Sequence, residues 1–269
     1  MNPYATEPGQ SNSLPPSERL EQSDNEIFNP DANSVSLGSA FTWYSKGFDQ
    51  FKASPGIWIG LVVLFIVITL VVGMIPFLGS IINIFLGPIF FAGLMLACEA
   101  QRRGQAVGID HLFQGFGKNG GALALFGLLS LAFYIVIGIV VLIVVAMSVG
   151  GAAISGMFAG GHPSAALLGM GIGTMALCFL IAMLAFVPIM MAMWFGPTLI
   201  VLHDVAPFDA LKMGLRGAFK NWFVFILYML LYMIFAIFAT IPIFLGWFVL
   251  GPVLIGAFYA AYREIYITQ

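Results

Sequence analysis

The sequence predicts an all-α, polytopic membrane protein: a bundle of six transmembrane helices, with amphipathic interfacial helices preceding helical hairpins. Of its 269 residues, 61% are hydrophobic and 8% are charged, and the mean hydropathy is +1.01. Soluble domains are typically about 45–50% apolar and about 25% charged. This composition excludes a water-soluble domain and a disordered protein. A net charge of −2 with ten basic residues lacks the basic surface of a nucleic-acid binder.

Residues 1–35 differ from the rest of the chain. They are rich in Pro, Ser and Asn, and contain six acidic residues and one basic residue, Arg19. A segment with so little apolar surface cannot offset the conformational entropy lost on folding. We therefore expect a disordered, acidic cytoplasmic tail over residues 1–35 and a transmembrane helical domain over residues 36–269. The tail also lacks the basic start and apolar stretch of a signal peptide.

Six apolar runs are long enough to cross a hydrocarbon core of ~30 Å, which takes about 20 helical residues. The sequence IPFLG joins the first run to the second, and IPIFLG joins the fifth to the sixth. Because Pro ends a helix and Gly permits a turn, each pair should form a tight hairpin. The runs are Ile57–Ile75, Ser80–Ala100, Ala122–Ser148, Ala166–Val187, Trp222–Thr240 and Ile243–Tyr262.

The fourth run is ambiguous, because apolar residues continue from Ala166 to Leu202. At ~1.5 Å per residue this stretch is longer than the bilayer is thick, and Pro188 or Pro197 could kink or break it. One interpretation is a single long, kinked helix. The alternative is a hairpin at Pro188, which gives seven crossings and an external C-terminus. With six crossings all ten basic residues lie on one side, as the positive-inside rule requires, so we favour six spans with both termini in the cytoplasm.

Three short segments that precede the hairpins have apolar residues at helical spacing. Their apolar positions are Leu37, Phe41, Tyr44, Phe48 and Phe51; Ile109, Leu112, Phe113 and Phe116; and Phe208, Leu211, Leu215 and Phe219. Basic amphipathic helices beside spans suit the surface of an anionic leaflet, and ordinary connecting helices packed on the bundle are the other interpretation. The candidate lipid-interface residues are Lys46, Lys52, Lys212, Arg216 and Lys220.

The first and last thirds of the chain also match each other. FKASPGIW, IPFLG and LGPIFFAGLMLACEA in the first third parallel FKNWF, IPIFLG and LGPVLIGAFYAAYRE in the last. The middle third keeps a weaker version, with FVPIM at Pro188 and FGPTLIVLHD at Pro197. We interpret these as three copies of one unit, a short amphipathic helix followed by a hairpin, which predicts a pseudo-threefold internal repeat.

The motifs WYSKGFDQFKASPGIW, FGPTLIVLHDVAPFDALKMGLRGAFKN and LGPVLIGAFYAAYREIY resemble an uncharacterised family of proteobacterial inner-membrane proteins. The resemblance covers roughly residues 36–267 and implies a location in the bacterial cytoplasmic membrane. The unit is also loosely similar to the membrane domain fused to some glycerophosphodiester phosphodiesterases. Neither resemblance brings an activity or a functional residue with it.

The spans contain no ionisable residue away from their ends, which argues against a proton-coupled carrier. The pair His203-Asp204 lacks the further ligands that a metal site needs, and we interpret it as a helix end that meets water. Glu99, with Arg102 and Arg103, has the spacing of solvated helix pairs. Because no nucleophile–base arrangement can be assembled, we expect neither an enzyme nor a cofactor or metal site.

Six further residues are candidates for helix packing or for a cavity: Asn83, Gly169, Gly173, Pro88, Pro188 and Pro197. We expect a structural, scaffolding or lipid-associated component of the membrane. Its partners would be the lipid bilayer, anionic lipids, and a membrane protein or a second copy of the chain. The alternative is a transporter or channel for a neutral or apolar solute, motivated by the repeat and the Pro-interrupted helices.

Overall fold

The computed structural model describes residues 26–117, 119–158, 173 and 190–268. Two short strands and a set of helices follow one another along this part of the chain. They are β1 (Ile27–Phe28), α1 (Ser39–Ala53), α2 (Pro55–Gly73), α3 (Leu78–Arg102), a 3₁₀ helix (Ile109–Phe116), α4 (Gly120–Phe158), α5 (Met190–His203), α6 (Pro207–Lys220), α7 (Trp222–Thr240), α8 (Trp247–Tyr266) and β2 (Ile267–Thr268).

Five of the described helices are long and apolar enough to cross a membrane: α2, α3, the first 24 residues of α4, α7 and α8. They coincide with the first, second, third, fifth and sixth predicted spans, so the prediction of an all-α polytopic protein is confirmed. The fourth predicted span, Ala166–Val187, lies outside the described residues. Helix α5 follows it and is helical through Pro197, so this proline does not break the chain into two helices. The number of crossings stays a prediction.

The two predicted hairpin turns adopt backbone conformations that are unusual for their residues. Phe77 has a φ of 58°, and Ile243 and Phe244 have φ values of 51° and 64°. Bulky or β-branched residues rarely occupy this left-handed region. In the first turn a Cβ on Gly79 would overlap the Val72 carbonyl, so only glycine lets α3 begin this close to α2.

Helix α1 packs along α8 in the most extensive contact between helices of the described chain. Ser39 lies at Glu264 and Gly47 lies at Ala257, so the two helices run antiparallel. A Cβ on Gly47 would lie 2.5 Å from the Ala257 nitrogen, which makes glycine necessary here. Next to this contact Trp43 is completely buried.

The other two short helices make comparable contacts. The 3₁₀ helix packs on α3, where a Cβ on Gly93 would lie 2.5 Å from the carbonyl oxygens of His111 and Leu112. Helix α6 packs on α5, where a Cβ on Gly214 would lie 2.8 Å from the Ala192 Cα. At each of these contacts two helices therefore approach each other backbone to backbone at a small residue.

Residues 26–35 are part of this packed structure, which corrects the prediction of a disordered tail over all of residues 1–35. Strand β1 pairs antiparallel with β2, with Ile27 opposite Thr268. The Asn33 nitrogen donates to the Ile265 carbonyl at 2.6 Å, and Ala32 is buried. The composition of the tail does not indicate that this segment is ordered, because its order depends on backbone pairing with the far end of the chain. Residues 1–25 lie outside the described residues.

The two ends of the bundle are unlike. The charged end comprises residues 26–35, the start of α2, the ends of α3, α5 and α8, and the helices α1 and α6. The hairpin end comprises the turns at residues 74–77 and 241–246, which contain no charged residue. Buried residues of α3 lie mostly between Ile89 and Ala100, toward the charged end. In α2 the buried residues are Trp58, Leu61 and Val62, again toward that end.

Candidate functional site

A half-buried group of charged side chains lies where α3 and α8 end. Within it, the Glu99 carboxylate accepts hydrogen bonds from Arg102 Nη2 at 2.7 Å, from Arg103 Nε at 2.5 Å and from the Tyr259 hydroxyl. The pairs of Glu99 with Arg102 and Arg103 that the sequence spacing predicts are present, but Glu99 is not solvated as expected, because its side chain is only 14% exposed. Helix α8 covers it with Tyr259.

Glu26 completes this group from the N-terminal segment. Its Oε1 accepts a hydrogen bond from Arg102 Nη1 at 3.0 Å and from Arg263 Nη2 at 2.5 Å, while its Oε2 accepts one from Arg263 Nη1 at 3.3 Å. One carboxylate thus bridges two guanidiniums that belong to different helices. We call Glu26, Glu99, Arg102, Arg263 and Tyr259 the charge cluster.

Sequence reasoning missed the charge cluster. Glu26 lies 237 positions before Arg263 along the chain, and no local spacing signals such a contact. The one available signal was the position of Glu99 and Arg102 at the end of an apolar helix.

His203 lies next to the charge cluster and is enclosed by aromatic rings. Phe28 stacks on its imidazole with ring centroids 3.8 Å apart, and its Nε2 lies 2.5 Å from the Tyr262 hydroxyl oxygen. Burial holds the pKa of His203 below its usual value, although Glu99 and Asp204 act in the opposite direction. As expected, α5 ends at His203 and Asp204 is exposed, but the His203 ring is half-buried against aromatic side chains.

No metal site can be built from the described part of the chain, where no three His, Cys, Asp or Glu side chains come together. Asp204, the second residue of the His203 pair, accepts a hydrogen bond from Asn119 Nδ2 at 3.0 Å. Cys98 is buried, and His162 and Cys178 lie outside the described residues.

The five candidate lipid-interface residues are all exposed. Lys52 pairs with Asp49 at 2.9 Å, and Lys212 pairs with Asp209 at 3.3 Å. Exposed pairs of this kind are worth about 0–1 kcal/mol, so they leave the ammonium groups available. Lys46 has no ion-pair partner within the described ranges.

The remaining two candidates contact the N-terminal segment. Arg216 pairs with Asp31, and Lys220 Nζ donates a hydrogen bond to the Ala32 carbonyl at 2.8 Å. Beside them, buried Asn221 accepts a hydrogen bond from the Val35 nitrogen at 2.8 Å. These contacts attach residues 31–35 to the end of α6 and to Asn221, which joins α6 to α7.

Each predicted apolar stripe divides between two environments. On α1, Tyr44 and Phe51 are buried whereas Phe41 and Phe48 are exposed. On α6, Leu211 is buried, and the exposed rings belong to Phe208 and Phe219. The 3₁₀ helix likewise buries Leu112 and exposes Phe113 and Phe116.

Exposed rings and exposed ammonium groups are neighbours on both α1 and α6. Lys52 Nζ lies 4.9 Å from the centroid of the Phe48 ring, and Lys212 Nζ lies 4.4 Å from that of Phe208. These distances are in the range of cation–π contacts. We call these four residues, together with Phe41, Lys46 and Phe219, the basic–aromatic surface.

The packing and cavity candidates have separate positions. Asn83 Nδ2 donates to the Thr69 carbonyl at 3.1 Å, which ties α3 to α2 near the hairpin end. Pro88 lies inside α3, and a Cβ on Gly173 would meet no atom within 4 Å among the residues that the structure describes. Gly169 and Pro188 lie outside the described residues.

Comparison with known proteins gives one informative match. No family model and no solved structure matches the sequence. A protein of Burkholderia thailandensis named "Probable inner membrane protein" is 28% identical over 199 residues, which are 74% of this chain and 73% of that protein. The match supports the resemblance to an uncharacterised group of bacterial inner-membrane proteins, while the similarity to phosphodiesterase membrane domains stays a prediction. With five apolar helices of spanning length, the chain is a multi-pass integral protein of the inner membrane.

Proposed function

We propose that the chain is a non-enzymatic structural or lipid-associated component of the inner membrane, and that its basic–aromatic surface binds anionic phospholipid headgroups. The observation that carries the proposal is the pairing of exposed phenylalanine rings with exposed ammonium groups on α1 and α6. Phe41 is 58% exposed and Phe219 is 62% exposed, although both lie at the charged end.

The membrane interface offers a suitable environment for both kinds of group. A ring that is exposed at the polar boundary of a bilayer can enter the acyl region, and a lysine beside it can extend its ammonium group to the phosphates. Near an anionic leaflet each basic residue contributes about 1 kcal/mol of attraction. Lys52 and Lys212 have this position relative to Phe48 and Phe208.

The proposal places the charged end in the cytoplasm, with six spans and both termini on that side. The positive-inside rule supports this orientation, because no basic residue lies in the hairpin turns. Reporter fusions after Gly79, Gly160, Lys212 and Gln269 test it. We expect external signals at the first two positions and cytoplasmic signals at the other two; a cytoplasmic signal at Gly160 would contradict six spans.

We further propose that the bundle consists of three related units. Equivalent contacts between different units support the repeat: the carbonyl that follows Pro88 in α3 faces Gly115 of the 3₁₀ helix, and the carbonyl that follows Pro252 in α8 faces Gly47 of α1. Gly214 makes a related contact with α5.

Lipid composition tests the binding proposal. The protein is reconstituted in nanodiscs of mixed phosphatidylglycerol and phosphatidylcholine, re-extracted in mild detergent, and the retained lipids are quantified by mass spectrometry. We expect Lys52→Gln with Lys212→Gln to lower the retained share of phosphatidylglycerol by up to about 30-fold, because two basic residues at about 1 kcal/mol each contribute about 2 kcal/mol of attraction.

The matched control removes the acidic partners of the same two lysines. Asp49→Asn with Asp209→Asn should raise the retained share of phosphatidylglycerol, because both ammonium groups lose an intramolecular competitor. Equal retention by the wild type and both double variants would overturn the proposal.

A further inference from the structure

We propose that Arg102, Arg263 and the surrounding charge cluster form a binding site for a phosphate group, and that Glu26 of the chain itself occupies this site as an internal competitor. The site uses none of the residues of the basic–aromatic surface, so it is independent of the proposed function.

The geometry of Glu26 is that of a bound anion. Its two carboxylate oxygens make three hydrogen bonds to guanidinium nitrogens, and two of these bonds form a fork with Arg263. Arginine recognises carboxylate and phosphate through the same planar arrangement of donors. A phosphate oxygen pair can therefore take the place of the Glu26 carboxylate.

The charges of the cluster favour a phosphate over a carboxylate. Together with Arg103, which pairs with Glu99 but is 51% exposed, the charge cluster contains three guanidiniums and two carboxylates. Each guanidinium has a carboxylate partner, and the group as a whole carries one net positive charge. A phosphate monoester carries up to two negative charges near neutral pH, so its exchange for Glu26 would balance the group.

Burial explains why Glu26 leaves only when another anion enters. The side chains of Arg263 and Glu26 are 17% and 14% exposed. Removing one partner from a half-buried ion pair leaves a charge without compensation, which is strongly unfavourable. The site is therefore expected to exchange one anion for another.

The segment that carries Glu26 is attached to the bundle at two places, at β1 and at residues 33–35. Strand β1 has two residues, and Ile27 is 69% exposed. Residues 33–35 are fixed by the buried Asn221 side chain, which bonds the Val35 nitrogen and the Asn33 carbonyl. Anion exchange therefore requires residues 26–29 to shift, with loss of the β1 pairing, of the bond from the Asn29 nitrogen to the Tyr266 carbonyl and of the Phe28 stack on His203, while residues 33–35 stay in place.

The phosphate could belong to a lipid headgroup or to a soluble compound, and two probes distinguish these sources. Inorganic phosphate is titrated against the full-length protein in detergent at constant ionic strength, with chloride as the reference anion. Short-chain phosphatidic acid in nanodiscs is the second probe. Binding is measured by the rise in apparent Tm and by native mass spectrometry.

We expect Glu26→Gln to bind at least one of the probes tenfold or more tightly than the wild type, because the neutral amide competes poorly for the guanidiniums. Asp31→Asn is the matched control, since it removes an acidic residue of the same segment that pairs with exposed Arg216. It should bind like the wild type. Arg263→Gln should lose binding of both probes.

A disulfide lock keeps the test decisive if Glu26→Gln is poorly folded. Ile27 and Thr268 are direct partners between β1 and β2, at a separation that suits a disulfide in antiparallel strands. In a background with Cys98→Ala and Cys178→Ala, oxidised Ile27→Cys with Thr268→Cys should not bind phosphate, and reduction should restore binding. Equal binding by the oxidised and reduced forms, or no gain in Glu26→Gln, would overturn the proposal.

Discussion

The charged end of this bundle buries its large apolar side chains, whereas the hairpin end exposes them. At the charged end, Trp43, Trp58 and Tyr266 are almost completely buried, and helices approach each other at glycines. At the hairpin end, Phe77 is 90% exposed and Ile243 is 87% exposed. In water such tips would promote aggregation, whereas in a membrane they face a compatible environment.

This difference indicates where the specific packing of the protein is concentrated. Lipid tails solvate apolar side chains about as well as other helices do, so helices in a bilayer associate through close packing and polar contacts. Most buried side chains of the described residues lie at the charged end, although Gly79 also permits a close approach of two helices at the hairpin end. We therefore expect substitutions at the charged end to have larger effects on stability than substitutions at the hairpin end.

The largest contrast should come from adding one methyl group at each of two glycines. In Gly47→Ala the new Cβ overlaps the backbone of α8. We therefore expect the free energy of unfolding to fall by about 1–3 kcal/mol or more. In Gly138→Ala of α4 the Cβ meets no atom of the described residues within 4 Å, and the higher helix propensity of Ala should add about 0.5–1 kcal/mol to the stability. In thermal unfolding in detergent, the apparent Tm of Gly47→Ala should be lower than that of the wild type, whereas that of Gly138→Ala should not. An equal fall in Tm for both variants would contradict the expected difference between the two positions.

Two asparagines, one near each end, provide the next contrast. Asn221 at the charged end makes three hydrogen bonds to backbone groups, at 2.8, 2.9 and 3.0 Å. Asn221→Ala leaves buried backbone groups without partners and should cost about 2–3 kcal/mol. Asn83→Ala removes one bond to Thr69 and should cost under about 1 kcal/mol. Limited proteolysis should cut within residues 26–35 more readily in Asn221→Ala than in the wild type. A larger loss of stability in Asn83→Ala than in Asn221→Ala would contradict the expected order.

The first hairpin turn, at residues 74–77, should become more stable when the exposed ring of Phe77 is removed. Phe77 has a positive φ, which costs a residue other than glycine about 1 kcal/mol or more. We expect Phe77→Gly to raise the apparent Tm by a few degrees in detergent. Phe28→Gly, which removes the ring stacked on His203, should lower it. A lower Tm for Phe77→Gly would show that this ring has a packing partner.

The smallest effect should be a pH dependence at the charged end. Burial holds the pKa of His203 below its usual value of 6.5, so the folded protein binds a proton there less readily than the unfolded chain. Its contribution to stability is complete above about pH 6.5 and is lost as the pH falls through the lower, folded pKa. The apparent Tm of the wild type should therefore approach that of His203→Gln as the pH is lowered. A difference that is independent of pH would contradict this expectation.

Hydropathy predicted much of the architecture, because a spanning helix and a Pro-Gly turn are local features. The runs from Ile57 and from Trp222 coincide with α2 and α7 for this reason. The apolar residues at helical spacing on α1 and α6 were also predictable from local sequence. The spacing could not show, however, that Tyr44 is buried against another helix while Phe41 is exposed. That distinction depends on which helix lies alongside.

The site was less predictable than the fold. The basic residues of α1 and α6 were visible as a pattern, and the structure places them at exposed positions. Glu26 was assigned to a disordered tail, because its partners Arg102 and Arg263 lie far away in the chain. A contact between distant residues leaves no periodicity in one sequence.

The packing of α1 against α8 also sets an order of events during biosynthesis. Trp43 and Tyr44 leave the ribosome more than two hundred residues before Ala257, against whose helix α1 packs. Until the last hairpin is inserted, the apolar face of α1 lacks its native partner and needs lipid or an insertion factor to cover it. Closure of the bundle is therefore a late step, and a chain that stops before α8 would retain a persistently uncovered aromatic surface that quality-control proteases can recognise.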